Sequence, residues 1–160
     1  MSTATKWLIS LIILANALRA QDVSAVYKIN DLLNRLESKD TLYVVNFWAT
    51  WCKPCVQELP AFDSLGTAYS GKNVKVILVC LDFKEDLGSK VRPFLKKKNI
   101  SSQCVLLDEL NGNDYIDKVS TEWSGAIPST LFKYGKRKDF AEKKLRLKDL
   151  EERVKALQST

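Results

Sequence analysis

A chain of 160 residues, 46% of them hydrophobic, is sized for one domain with a proper core. Its 25 basic and 19 acidic residues give a formal charge of +6, an ordinary balance that does not mark a nucleic-acid binder. Histidine is absent, which excludes Ser/His/Asp triads and Cys/His proteases and removes the commonest transition-metal ligand, so chemistry must come from cysteines and carboxylates.

The first segment reads as an address. Lys6 precedes the apolar run from Trp7 to Leu14, and the small residues Ala15, Ala17 and Ala20 follow, the order of a secretory signal peptide. A spanning helix needs roughly 20 apolar residues, and Asn16 and Arg19 cut this run short. Residues 1–20 are therefore expected to be a cleaved signal peptide and residues 21–160 the mature domain. No cysteine precedes Cys52, so no lipid-modified cysteine stands at the junction and the mature chain is expected to be exported and soluble.

Val26, Ile29, Leu32, Leu33 and Leu36 recur at helical spacing, which predicts an amphipathic helix over residues 25–38. Residues 41–48, nearly continuous in apolarity and rich in β-branched and aromatic side chains, read as a strand buried on both faces. From Pro54 to Tyr69 the pattern Val56, Leu59, Phe62, Leu65 suits a helix, with Pro54 tolerated in its first turn and Pro60 expected to kink it. A second buried strand follows at residues 74–81, then a helix within residues 89–98 and a third strand at residues 104–107. After a turn comes a short helix at residues 114–123, then a strand at residues 129–134 that turns at Gly135-Lys136 into a fifth. Leu147, Leu150, Val154 and Leu157 share one face of a closing helix. Strands alternating with helices call for a mixed, mostly parallel sheet covered on both faces, the last two strands pairing antiparallel. Between Lys133 and Lys155, ten basic residues face five acids, a pattern read as a solvated hairpin and helix face with no nucleic-acid partner.

The reactive candidate is Trp51-Cys52-Lys53-Pro54-Cys55, just past a strand and at the start of a helix, where the sites of such sheets lie. A thiol attacks only as thiolate. A helix N-terminus favours that charge through its unpaired N–H groups and dipole, and Lys53 adds a formal positive charge beside Cys52. Cys55, one turn further in, is placed to resolve a mixed disulfide formed at Cys52, and Pro54 stiffens the turn. Two other readings of the pair are a zinc half-site and a short structural bridge. Zinc wants four ligands, while the remaining cysteines, Cys80 and Cys104, sit separately in expected strands; a bridge closing so short a loop constrains little of the unfolded chain. No metal and no cofactor beyond the Cys52–Cys55 disulfide is expected. Glu58, three residues past Cys55, shares its helix face and either exchanges a proton with the inner thiol or merely complements the dipole. Trp51 either shields the disulfide or packs locally.

Cys80 and Cys104 invite a second bridge. If their strands are parallel neighbours with aligned ends, Cys104 lies about two residues, ~6.6 Å, below Cys80. With ~4.8 Å between strands the Cα atoms are roughly 8 Å apart, too far for a disulfide. Two buried thiols are expected.

The run from Val45 to Cys55, Val-Asn-Phe-Trp-Ala-Thr-Trp-Cys-Lys-Pro-Cys, followed by Glu58-Leu59-Pro60, resembles the active-site signature of the TlpA/ResA-like branch of the thioredoxin superfamily. Trp123-Ser124-Gly125-Ala126-Ile127-Pro128-Ser129-Thr130 resembles the same branch's cis-proline loop. The resemblance covers residues 26–158 and implies a thioredoxin-like fold with Pro128 cis and the Ile127 backbone pairing with an extended substrate segment. It gives Glu58 the proton-exchanging role. It implies a periplasmic thiol-disulfide oxidoreductase, expected as a monomer, that reduces protein disulfides, is re-reduced by a membrane-bound thiol reductant and serves cytochrome c biogenesis or thiol maintenance. A redox-inert client-binding module and a disulfide-donating oxidant are the alternatives.

Overall fold

In the computed structural model, which describes residues 23–159, the chain builds a six-stranded sheet in the order β1-β4-β3-β2-β5-β6. The expected signal segment lies outside the described residues. The strands are β1 (Val23–Tyr27), β2 (Leu42–Trp48), β3 (Val74–Cys80), β4 (Gln103–Leu107), β5 (Ser129–Tyr134) and β6 (Arg137–Ala141). Strands β1 to β4 run parallel, while β5 pairs antiparallel with β2 and β6.

Alternation along the strands divides the interior into two cores. Leu42, Val44 and Trp48 face one side of β2, where they meet Leu59, Phe62 and Leu65 of α2 (Lys53–Ala68), Leu95 of α3 (Arg92–Lys98) and Leu150 and Val154 of α5 (Leu147–Gln158). Tyr43, Val45 and Phe47 face the other, against Ile29 and Leu32 of α1 (Ile29–Arg35) and Val119 of α4 (Ile116–Val119). A strand with helices on both faces has no wet side, which is why β2 carries so few polar residues. Asn46, on the α2 side of β2, is the exception and is fully buried.

The structure departs from the periodicity at the N-terminal end. The helix expected over residues 25–38 begins only at Ile29, and residues 23–27 form β1, an edge strand paired with β4 in the register Val23↔Cys104 and Tyr27↔Leu107. Val26 and Ile29 are thus not successive turns of one helix face; Val26 is 37% exposed, and its spacing mimics a helix by coincidence. Helix α2 continues through Pro60. Before α3 the chain makes a π turn at Leu87–Val91, and Pro93 occupies the helix's first turn. Among the described residues no helix is long and apolar enough to cross a membrane.

The level of the sheet is fixed by register. Trp48 is opposite Cys80, and Cys80 is opposite Leu106. Cys104 pairs with Leu78, two residues below Cys80, as aligned strand ends require, and the two buried sulfurs are not bridged.

Candidate active site

The carboxyl ends of β2, β3 and β4 and the amino end of β5 share one edge of the sheet. Chain leaving β2 at Trp48 turns back on itself, with Cys52 N–H donating to Ala49 O at 3.1 Å, and enters α2 directly. Cys52 caps that helix. Its backbone is extended, and its Sγ accepts from Cys55 N–H at 3.3 Å. The first turn of the helix thus directs an N–H at the outer sulfur, where negative charge develops when the bond opens. Pro54 adopts the first-turn place where a missing N–H leaves nothing unpaired.

Cys52 and Cys55 are joined, with Cα atoms 5.3 Å apart. Cys52 keeps 6% of its surface and Cys55 none, a narrower opening at Cys52 than the sequence placement leads one to expect. Only the outer sulfur is reachable, and only along a slot. Trp51, 69% exposed, stands on one side of that slot; the loop before β5 stands on the other, with Ile127 O 3.7 Å from Cys52 Sγ.

That loop is held by an aromatic cluster. Trp123 stacks against Phe47 at 4.7 Å and lies near Tyr115 and Phe140, while its indole N–H donates to Ala126 O at 2.7 Å. Gly125 turns with φ of 95°, and a Cβ there would meet Ile116 at 2.8 Å, so only glycine fits. The Ile127–Pro128 peptide is cis. Ser124 donates its N–H to Glu142 at 2.7 Å and its hydroxyl to the same carboxylate, tying the loop to the segment that follows β6.

Glu58 is not a solvated first-turn acid. It is 1% exposed and sits one turn past Cys55 on the same face. Asn46 Nδ2 donates to its Oε1 at 2.7 Å, and Leu145 N–H donates to its Oε2 at 2.7 Å. Burial lifts its carboxyl from the usual 4.5 to about 7, against the pull of those two hydrogen bonds and of the Lys144 charge. A buried carboxyl titrating near neutrality one helical turn from a buried cysteine is a candidate proton acceptor.

Asp82, just past β3 and 3% exposed, is a partner that spacing did not suggest. Its carboxylate accepts from Thr50 N–H at 2.8 Å, from the Thr50 hydroxyl at 2.5 Å and from the Cys80 thiol at 3.1 Å. It clamps the turn two residues before Cys52. Burial, with Cys104 and Asp82 nearby, pushes the Cys80 thiol far above its ordinary value, so Cys80 is held protonated and inert. Asn46 and Leu145 were also missed. A polar residue in the middle of the apolar run at residues 44–48 was the one available signal for Asn46; a backbone N–H 87 residues from its carboxylate leaves none.

Comparison with known proteins agrees with this geometry. Residues 18–132 match the AhpC/TSA family. The chain is 36% identical over 80 residues to the thioredoxin-like protein YneN of Bacillus subtilis, covering 49% of this chain and 46% of that one. It is 32% identical over 71 residues to sporulation thiol-disulfide oxidoreductase A of the same organism, covering 44% and 43%. It thus spans less than half the length of these curated relatives. The crystal structure of a thioredoxin-related protein from Neisseria meningitidis serogroup B superposes with a TM-score of 0.66 at 26% identity, covering 77% of this chain and 89% of the other. The sheet order, the capped cysteine pair and the loop facing it are a thioredoxin-like arrangement, and the chain belongs to the AhpC/TSA family.

Proposed function

We propose that the protein is an exported thiol-disulfide oxidoreductase that reduces disulfides in client proteins. The observation that carries the reading is the asymmetry of the cysteine pair: one sulfur at a helix mouth with a narrow opening to solvent, the other fully buried and one helical turn from a buried carboxyl that titrates near 7.

In the reduced enzyme the Cys52 thiolate, favoured by the helix N-terminus and by Lys53, attacks one sulfur of a client disulfide. A bond forms between Cys52 and that sulfur, and the other client sulfur leaves as a thiolate that takes up a proton. Glu58 then accepts the Cys55 proton. The Cys55 thiolate attacks Cys52 Sγ and expels the second client sulfur. Two electrons have passed to the client, and the Cys52–Cys55 disulfide remains. The backbone at Ile127, beside Pro128, takes an extended client segment by strand addition, and Trp51 closes over the reacting sulfurs. A membrane-bound dithiol returns the electrons, and residues 1–20 direct the export.

Insulin reduction driven by dithiothreitol tests the reading. Cys52→Ser should abolish the acceleration that wild type gives; equal rates for the two would sink it and leave client holding as the function.

A further inference from the structure

Among the described residues, four large hydrophobic side chains are exposed: Val26, Trp51, Phe83 and Leu110. Single exposed apolar residues are ordinary on any protein surface. Their placement is not. Trp51 follows β2, Phe83 follows β3 and Leu110 follows β4, three strands that are immediate neighbours and parallel. Trp48, Cys80 and Leu106 lie at one level of the sheet, and the three side chains stand three, three and four residues beyond it. Phe83 is 64% exposed and Leu110 85%.

The loops that carry them are fastened to each other. Leu81 N–H donates to Trp48 O at 2.8 Å, and the Thr50–Asp82 bonds bring the residues just before Trp51 and Phe83 into contact. Lys84 Nζ lies 3.5 Å from Asp108 Oδ2, joining the loop after β3 to the loop after β4. The turn is held by the Asp82 carboxylate and by the Leu81 and Asp86 N–H groups, none of which uses the ring at position 83. β5 begins at the same edge, so the Cys52 sulfur and the Ile127 carbonyl, 3.7 Å apart, lie next to the β2 end of the row.

We propose that Phe83 and Leu110, with Trp51, form an apolar rail that selects clients by the residues flanking the attacked cystine. This rests on the reading of the protein as a disulfide reductant. The occupant is an extended client segment rather than a folded face. From β2 to β4 is two strand spacings, roughly 10 Å, the reach of about three extended residues. Alternate client side chains point the same way, so a cysteine lying at Cys52 carries apolar neighbours onto Phe83 and Leu110. Ile127 holds the client's main chain, which is the same for every sequence; the rail supplies discrimination.

The test uses two synthetic peptides that each close one disulfide, identical except that phenylalanine and leucine stand two and four residues from the attacked cysteine in one and serine takes both places in the other. Wild-type protein, reduced with dithiothreitol, should act on the apolar peptide with a kcat/KM about tenfold higher, the scale of one or two partly buried apolar groups. In the Phe83→Ser/Leu110→Ser double variant that ratio should fall to within about twofold. A ratio compares two substrates on one sample, so partial loss of folded protein does not move it. A wild-type ratio near one, or a double variant that keeps the tenfold preference, overturns the rail. A wild-type protein that reduces neither peptide overturns the reductant reading, and the rail with it.

Discussion

The chain holds two pairs of cysteines in one sheet-and-helix framework, and the fold treats them in opposite ways. Cys52 and Cys55 lie at the first turn of one helix, with Cα atoms 5.3 Å apart and the Cys55 N–H aimed at the outer sulfur. Cys80 and Cys104 lie on adjacent strands, two residues out of register, both sealed in the core. At the first pair the outer sulfur sits at a helix N-terminus; at the second, burial and a neighbouring carboxylate hold the proton on Cys80. What surrounds each sulfur, and not its being a cysteine, separates the two pairs.

The widest separation between the pairs should appear in turnover. Cys52→Ser should lower insulin reduction about a thousandfold or more, whereas Cys80→Ala should keep at least about half of the wild-type rate. Comparable losses would mean the buried pair takes part in exchange. Glu58→Gln comes next. With a wild-type carboxyl at about 7, the step that needs a Cys55 thiolate should speed up as pH rises through 7, and Gln should flatten that rise and slow the step about a hundredfold. Stopped-flow decay of the mixed disulfide, followed by Trp51 fluorescence, reads it.

The same substitution reaches stability. Because the folded carboxyl binds its proton more tightly than the unfolded one, with 4.5 rising to about 7, its contribution is intact below 4.5 and is lost as pH climbs to 7. In wild type this group should remove up to about 3 kcal/mol across that window; in Glu58→Gln, denaturant melts should lose that slope. Alkylation sharpens the contrast further. Iodoacetamide should label Cys80 and Cys104 of the native, unreduced protein at least about a hundredfold more slowly than in concentrated guanidinium. Smallest is Cys104→Ala, which should cost about 1 kcal/mol and a few degrees of Tm while leaving insulin reduction unchanged.

Much of this was legible in advance, and the exceptions have a common cause. The buried strands, the helix after Cys52, the two-residue offset of Cys104 and the placing of the cysteine pair at a helix start all follow from patterns within ten or so residues, or from chain alignment that parallel strands impose. β1 was hidden because its pairing partner lies 80 residues ahead and its own five residues alternate too weakly to betray a strand. The site behaves likewise. Cys52, Cys55 and Glu58 share one helix and could be read from spacing, but Asn46 and Leu145 reach Glu58, and Asp82 reaches the turn at Thr50, from other parts of the chain. Their contacts exist only once the sheet is assembled; beyond the polar break that Asn46 makes in an apolar run, no local rule points to them.

The bond from Leu145 N–H to Glu58 has a consequence for how the protein comes into being. Synthesis delivers the dithiol and its helix long before position 145, so an emerging chain owns its nucleophile while the carboxyl at 58 still lacks one of its two clasps. If the proposed exchange holds, its resolving step matures only when the segment carrying Leu145 docks and completes the carboxyl's surroundings.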